Sequence, residues 1–180
     1  MAEGRIETTV FGGGCFWCTE AVFLQLNGVA SVMPGYAGGK MPNPRYDDVS
    51  TGRTGHAEVI KIEYDPAVIT FEKLLEVFFS SHDPTTPNRQ GADIGEQYRS
   101  IVLYATEAQR NEAEAYIRGL ITAKKYSQPI VTQVRKLEAF YPAEEYHKNF
   151  YARNPEAPYS QAVIAPKIRK VSKEYKELLK

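Results

Sequence analysis

The segment GGGCFWCTE, from Gly12 to Glu20, constrains this chain more than any other stretch. Before it, Arg5 to Phe11 carries the β-favouring residues Ile6, Thr8, Thr9, Val10 and Phe11; after it, Ala21-Val22-Phe23-Leu24 continues an apolar helical pattern. The glycines between them predict a strand that passes through a flexible turn into the first turn of a helix. Cys15 and Cys18, the only cysteines, fall on that turn as a C-x-x-C pair around Phe16 and Trp17. Unpaired N–H groups and the positive end of a helix dipole favour a thiolate there, as does the C-x-x-C arrangement itself. A nucleophile with a second thiol one turn later suits a disulfide that forms and breaks during turnover.

Two other uses of the pair compete with this one. Zinc would need partners from His56, His82 and His147, and no two of these show the H-x3-5-H spacing of a zinc site. An inert buried pair would leave three glycines just before the motif, which are costly for packing alone. No metal is expected.

At 180 residues and 43% hydrophobic content, the chain supports one sizeable core, and a single domain over 1–180 is the default. Lys plus Arg equals Asp plus Glu at 22 each, so no global field recruits nucleic acid or an acidic membrane surface. No apolar stretch near Met1 reads as a cleavable signal, and no apolar run approaches 18 residues. The expectation is a soluble cytoplasmic protein, where a C-x-x-C is more plausibly catalytic than structural.

Along the chain, Asn27-Gly28 ends the first helix and Ala30 to Val32 leads into a loop from Pro34 to Gly55, long enough to be functional. His56 to Tyr64 alternates as a strand. Thr70 precedes a helix with Phe71, Leu74, Leu75 and Phe78 on one face. A second irregular stretch, Asp83 to Glu96, leads to the strand SIVLY. Thr106 and Gln109 form a capping-box pattern for a helix from Glu107 to about Lys125, and Ile130 to Leu137 alternates as a strand. Pro142 reads as a helix start. Residues 156–180 form a tail ending in a docked helix, with Ile168, Val171, Tyr175 and Leu178 at helical spacing. The elements lack strict β-α-β alternation, so the predicted class is α+β: a mixed sheet with helices packed on it, a ferredoxin-like two-layer sandwich with long loops around the site.

Four polar residues near the irregular loops could serve the thiols. Glu58 stands at the start of a strand, where an exposed carboxylate is the bland alternative. Tyr46 and Tyr98 lie at loop edges, and a phenol stays a donor at neutral pH, although a core or rim tyrosine is the commoner role. Asp93 in QGADIGEQYR could simply brace a turn.

The chain resembles the A-type methionine sulfoxide reductases, the peptide methionine (S)-S-oxide reductase family, to about Tyr151. The resemblance rests on GCFW at Gly14 to Trp17, GYAGG at Gly35 to Gly39, PNPRY at Pro42 to Tyr46 and TGHAEV at Thr54 to Val59. YDP at Tyr64 to Pro66, HDPT at His82 to Thr85, DIGEQYRS at Asp93 to Ser100 and EEYHKNF at Glu144 to Phe150 extend it in the same order. It implies that Cys15 attacks the sulfur of the S epimer of methionine sulfoxide, free or in proteins, with Glu58 as proton donor and Tyr46 and Tyr98 on the same oxygen. Phe16 and Trp17 would enclose the S-methyl group, and Asp93 would position the backbone part of the substrate or ordered water. Methionine leaves and Cys15 remains as a sulfenic acid. The commoner family pattern has Gly after Trp and resolving cysteines near the C-terminus. Here Cys18 follows Trp17 and the tail has no cysteine, so Cys18 is the implied resolver. Thioredoxin is the implied reductant, no cofactor is implied, and a monomer repairing oxidative damage is expected. A redox-regulated module that binds methionine peptides is the runner-up, but it would need no proton donor. A general thiol–disulfide exchange protein fits less well, because Phe16 and Trp17 are bulky and the element order is not thioredoxin-like.

Overall fold

The structure, a computed structural model, describes residues 4–180; the reading around Met1 lies outside them. A six-stranded sheet is formed by β1 (Glu7–Gly13), β2 (Val29–Ala37), β3 (Ala57–Tyr64), β6 (Ser100–Tyr104), β7 (Gln133–Lys136) and β8 (Phe140–Pro142). Their order is β7-β6-β1-β3-β2-β8, and every pairing is antiparallel except β6 with β7. The central four strands, with α1 (Phe16–Leu24) crossing from β1 to β2 and α3 (Phe71–Ser81) crossing from β3 to β6, give the expected α+β, ferredoxin-like arrangement. A hairpin of two-residue strands, β4 (Arg89–Gln90) with β5 (Asp93–Ile94), stands apart within the irregular stretch before β6.

The alternation of β3 divides the core. Ile60, Ile62 and Tyr64 join Phe11, Tyr36 and Val102 on the helix face, whereas Ala57 and Val59 join Val10, Ala37, Ile101 and Leu103 on the other. Leu137 and Phe140 cover part of that second face. Glu58 shares the parity of Ile60 and Ile62, and so points under the helices rather than to solvent; it is 2% exposed. On α3, the N-cap hydroxyl of Thr70 accepts from Lys73 N at 3.2 Å, and the predicted stripe is buried.

Several boundaries differ from the sequence reading. The stretch from Pro34 is strand through Ala37, and α2 (Tyr46–Ser50) interrupts the remaining loop before β3. Pro34 is tolerated in β2 because its carbonyl faces Ala143, just beyond the paired residues of β8; its missing N–H therefore breaks no bond to β3. Pro142 closes β8 instead of opening a helix, and a 3-10 turn, Glu145–His147, and α5 (Phe150–Arg153) come after it. The helix α4 (Glu107–Thr122) stops short of Lys125 because Lys124 is left-handed, with a φ of 52°. Its cap is half a capping box: Thr106 accepts from Gln109 N, but the Gln109 side chain accepts from Ala105 N and donates to Thr8 O. Ile130 to Thr132 lies outside β7, since Val131 N donates to Pro84 O.

The C-terminal segment is a π turn, Ser160–Ile164, followed by α6 (Ala165–Glu174). Val171 is buried, Tyr175 and Leu178 pack on the main core, and Ile168 packs with Ile164 against Cys18 and Ala21 of α1. The last residues are tied to the end of α1, through Asn27 N to Leu178 O at 2.7 Å and Lys180 N to Gln25 O at 2.9 Å. Among the described residues, no helix is long and apolar enough to cross a membrane.

Candidate active site

Gly14 makes the turn that the sequence predicts between β1 and α1. Its φ is +99°, and a Cβ there would stand 2.6 Å from the Gln90 side chain. Cys15 then becomes the N-cap of α1, and its carbonyl accepts from Cys18 N at 3.1 Å. The adjacent Phe16 N–H donates to Glu58 Oε1 at 3.2 Å. This bond places the carboxyl of β3 beside the first cysteine.

A cavity of about 180 Å³ opens at this point. It brings together Cys15, Phe16, Trp17, Tyr46, Glu58, Asp93 and Tyr98 from the sequence reading, together with Tyr159. Cys15 keeps part of its surface open, while Cys18 lies behind it at 1% exposure and is absent from the lining. A larger groove of about 810 Å³ runs between α3, α4 and α6 but contains neither cysteine. The small cavity is below the usual range of drug-sized pockets, roughly 300–1,000 Å³, and suits a single side chain.

Burial pushes Glu58 up to about 8, against the opposing hydrogen bond from Phe16. It is therefore mostly protonated at neutral pH and able to donate. Burial also raises Tyr46 and Tyr98, followed by the nearby Glu58 charge, so both phenols remain donors. The thiols depart from the sequence expectation that the helix start makes a thiolate of Cys15. Burial pushes the Cys15 thiol well up, and its hydrogen bond to Cys18 pushes it further; the same bond is the main cause that lowers Cys18, to about 7. The two titrate as one unit, and the first ionisation belongs to the pair rather than to either sulfur.

The walls of the cavity are braced from distant segments. Trp17 stacks flat on Phe150, with ring centroids 3.6 Å apart, and its indole N–H donates to His147 Nδ1 at 3.0 Å. Glu20 Oε1 accepts from Asn149 N at 2.8 Å, which ties that region to α1. Glu144 accepts from Tyr36 Oη and Tyr46 N, both at 3.0 Å, and so seats Tyr46. Behind Tyr98, Arg99 donates to Gly55 O at 2.9 Å while Glu96 accepts from Gly55 N at 2.8 Å. Asp93 is held at the end of its hairpin by Tyr159, whose hydroxyl donates to Oδ2 at 2.7 Å. The remaining histidines brace loops: His56 bonds Gly39 N and Met41 O, and His82 bonds Phe78 O and Ser100 Oγ.

Sequence reasoning assigns no role to Glu144, His147, Phe150 or Tyr159. The first three lie in the EEYHKNF motif, so the motif is visible although its service to Trp17 and Tyr46 is not. Tyr159 carries no local signal beyond being an aromatic in the tail.

A partly open thiol, a second thiol one helical turn away, a protonated carboxyl and two phenols around one apolar-walled cavity define a thiol oxidoreductase that takes an oxygen from its substrate. The family model for peptide methionine sulfoxide reductase matches residues 7–179, and the chain belongs to that family. The match extends through the tail, beyond the Tyr151 limit of the sequence resemblance. The chain is 54% identical over 170 residues to a peptide methionine sulfoxide reductase of Sulfolobus acidocaldarius, covering 94% of this chain and 96% of the other. Among solved structures it is similar to reduced Mxr1 of Saccharomyces cerevisiae, with a TM-score of 0.80, 35% identity and 85% and 88% coverage of the two chains. Mxr1 in complex with Trx2 gives a TM-score of 0.57 at 25% identity, covering 81% of this chain and 85% of that one.

Proposed function

We propose that the protein reduces the S epimer of methionine sulfoxide, free and in proteins, to methionine, with residues 1–180 acting as one catalytic domain. The observation that carries this reading is the pairing of Cys15 with the buried carboxyl of Glu58 in one cavity. A thiolate attacks a sulfoxide poorly unless the oxygen gains a proton.

Cys15 gives its proton to the Cys18 thiolate as it attacks the sulfoxide sulfur. Glu58 transfers its proton to the sulfoxide oxygen, while Tyr46 and Tyr98 hold that oxygen by hydrogen bonds as charge develops. The sulfur–oxygen bond breaks, methionine leaves, and Cys15 carries the hydroxyl as a sulfenic acid. Phe16 and Trp17 receive the S-methyl group, and Asp93 positions the backbone part of the substrate. Because the methyl wall, the oxygen donors and the nucleophile occupy three fixed directions, only one hand of the sulfoxide sulfur satisfies all three; the family resemblance makes it S.

Cys18 then displaces the hydroxyl and forms a disulfide with Cys15. Thioredoxin is the reductant we infer, supported by the similarity to Mxr1, which has been solved with Trx2 bound. The setting we infer is a cytoplasmic monomer that repairs oxidised proteins and needs no bound cofactor. Mixing the reduced protein with excess L-methionine S-sulfoxide and no reductant tests the scheme, with the R epimer as control. Loss of both thiols with release of methionine, for the S epimer alone, is expected. Two retained thiols and no methionine would favour a methionine-binding module.

A further inference from the structure

The tail delivers one side chain to the site. Tyr159 precedes the π turn, and Val163, Ile164 and Ile168 anchor this segment on the face of α1 that carries Cys18 and Ala21. Its ring meets Trp17 edge-on, with centroids 5.8 Å apart. Its hydroxyl donates to Asp93 Oδ2 at 2.7 Å and lies 3.7 Å from Cys18 Sγ. A phenol has one proton to give and lone pairs to accept with. While it donates to Asp93 it can only accept from Cys18, so the Cys18 S–H is aimed along a path that ends on a carboxylate.

We propose that Tyr159 is the proton relay of the resolving step, carrying the Cys18 proton to Asp93. This rests on the reading that Cys18 resolves the Cys15 sulfenic acid. The Cys18 S–H bond breaks as its proton passes to the Tyr159 oxygen, and the Tyr159 proton passes to Asp93. The Cys18 thiolate, now receiving a hydrogen bond from Tyr159, attacks the Cys15 sulfur. The S–S bond forms, the Cys15 S–O bond breaks, and the departing hydroxide takes the proton held on Asp93, which lines the same cavity. Water leaves, Asp93 is again a carboxylate, and both sulfurs are oxidised to the disulfide. The other titratable groups bearing on the two sulfurs are Glu58 from β3, Tyr46 and Tyr98 across the cavity, and Lys167 from α6, which favours the Cys18 thiolate.

The test separates the two steps in a single turnover, following methionine release by chromatography and disulfide formation by thiol titration, over a range of roughly pH 6.5 to 9 that spans the ordinary thiol range. In Tyr159→Phe, disulfide formation is expected to slow about a hundredfold relative to methionine release, near the lower end for a positioned proton-transfer group. The sulfenic acid should accumulate and be trapped by a 1,3-diketone. The lag should shrink as pH rises toward the ordinary thiol range, which a purely structural defect would not produce. Asp93→Asn interrupts the other end of the path and should show the same pH-dependent lag, so the idea stands or falls even if one variant folds poorly. Disulfide formation that keeps pace with methionine release in both variants would overturn the relay. A wild-type protein that releases no methionine would instead overturn the functional reading.

Discussion

The Phe16 N–H donates to Glu58 Oε1 across 3.2 Å, joining the peptide after the first cysteine to an acid on β3, 42 residues away in sequence. The bond uses one carboxyl oxygen and leaves the other to hold the proton. It also fixes the acid relative to the start of α1, where the nucleophile sits.

Glu58→Gln keeps an oxygen for Phe16 but removes the transferable proton. The sulfoxide step should fall by about 10²–10⁴-fold, the usual worth of a positioned acid, while substrate affinity changes far less. In the wild type, the rate of methionine release should rise through about pH 7 as the thiol pair ionises and fall above about pH 8 as Glu58 loses its proton. The falling limb should vanish in the variant. Equal losses in binding and in the chemical step, or a retained falling limb, would remove Glu58 from the acid role.

The same shift sets a stability trend. Glu58 has a folded pKa of about 8, raised by burial from 4.5, so between these values the folded chain holds a proton that the unfolded chain has released. Its contribution to stability is fully present below the unfolded pKa and is lost as pH rises through about 8. At pH 7 this amounts to a penalty on the order of 3 kcal/mol. Glu58→Gln should therefore be more stable than wild type at about pH 7 and lose that advantage near pH 4, below the unfolded value. Urea unfolding at the two pH values checks this, and an advantage independent of pH would contradict it.

Glu58 is only partly legible in the sequence. The alternation of HAEVIKIEY is plain, and it puts Glu58 in phase with Ile60 and Ile62, yet a lone carboxylate in a strand is usually solvated, and its burial depends on residues distant in sequence, Phe16, Tyr46 and Tyr98 among them, closing around it. The strand–turn–helix around Cys15 is legible because glycine and helical periodicity act locally. Strand β8 is not, because three residues ending in Pro142 have no pattern of their own and become a strand by pairing with β2. Tyr159 lies 66 residues from Asp93 and 141 from Cys18, and no local rule connects them.

Cys18→Ser should still release about one equivalent of methionine per chain, because Cys15 and Glu58 are intact. That release should be slower near neutral pH, since the serine cannot take the Cys15 proton as a thiolate does. Recycling by thioredoxin should be lost, because no partner thiol remains in the chain to form the disulfide. Steady-state turnover with thioredoxin, beside the single-turnover yield, checks both points. Unimpaired recycling would place resolution elsewhere.

His147 is 1% exposed, and its Nδ1 is the acceptor that orients Trp17. His147→Phe keeps a ring against Tyr46 and Phe16 but leaves the indole N–H without its partner, at a cost of about 1–3 kcal/mol. The stack on Phe150 should hold the indole plane less firmly, and the methyl wall should loosen. Affinity for the sulfoxide should then weaken about tenfold, equivalent to roughly 1.4 kcal/mol, with a smaller change in the chemical step. Trp17 is the only tryptophan, so intrinsic fluorescence excited on the indole reports on it alone. A shifted emission with raised KM would support the orienting role. An unchanged spectrum and KM would show that the stack on Phe150 is sufficient without His147.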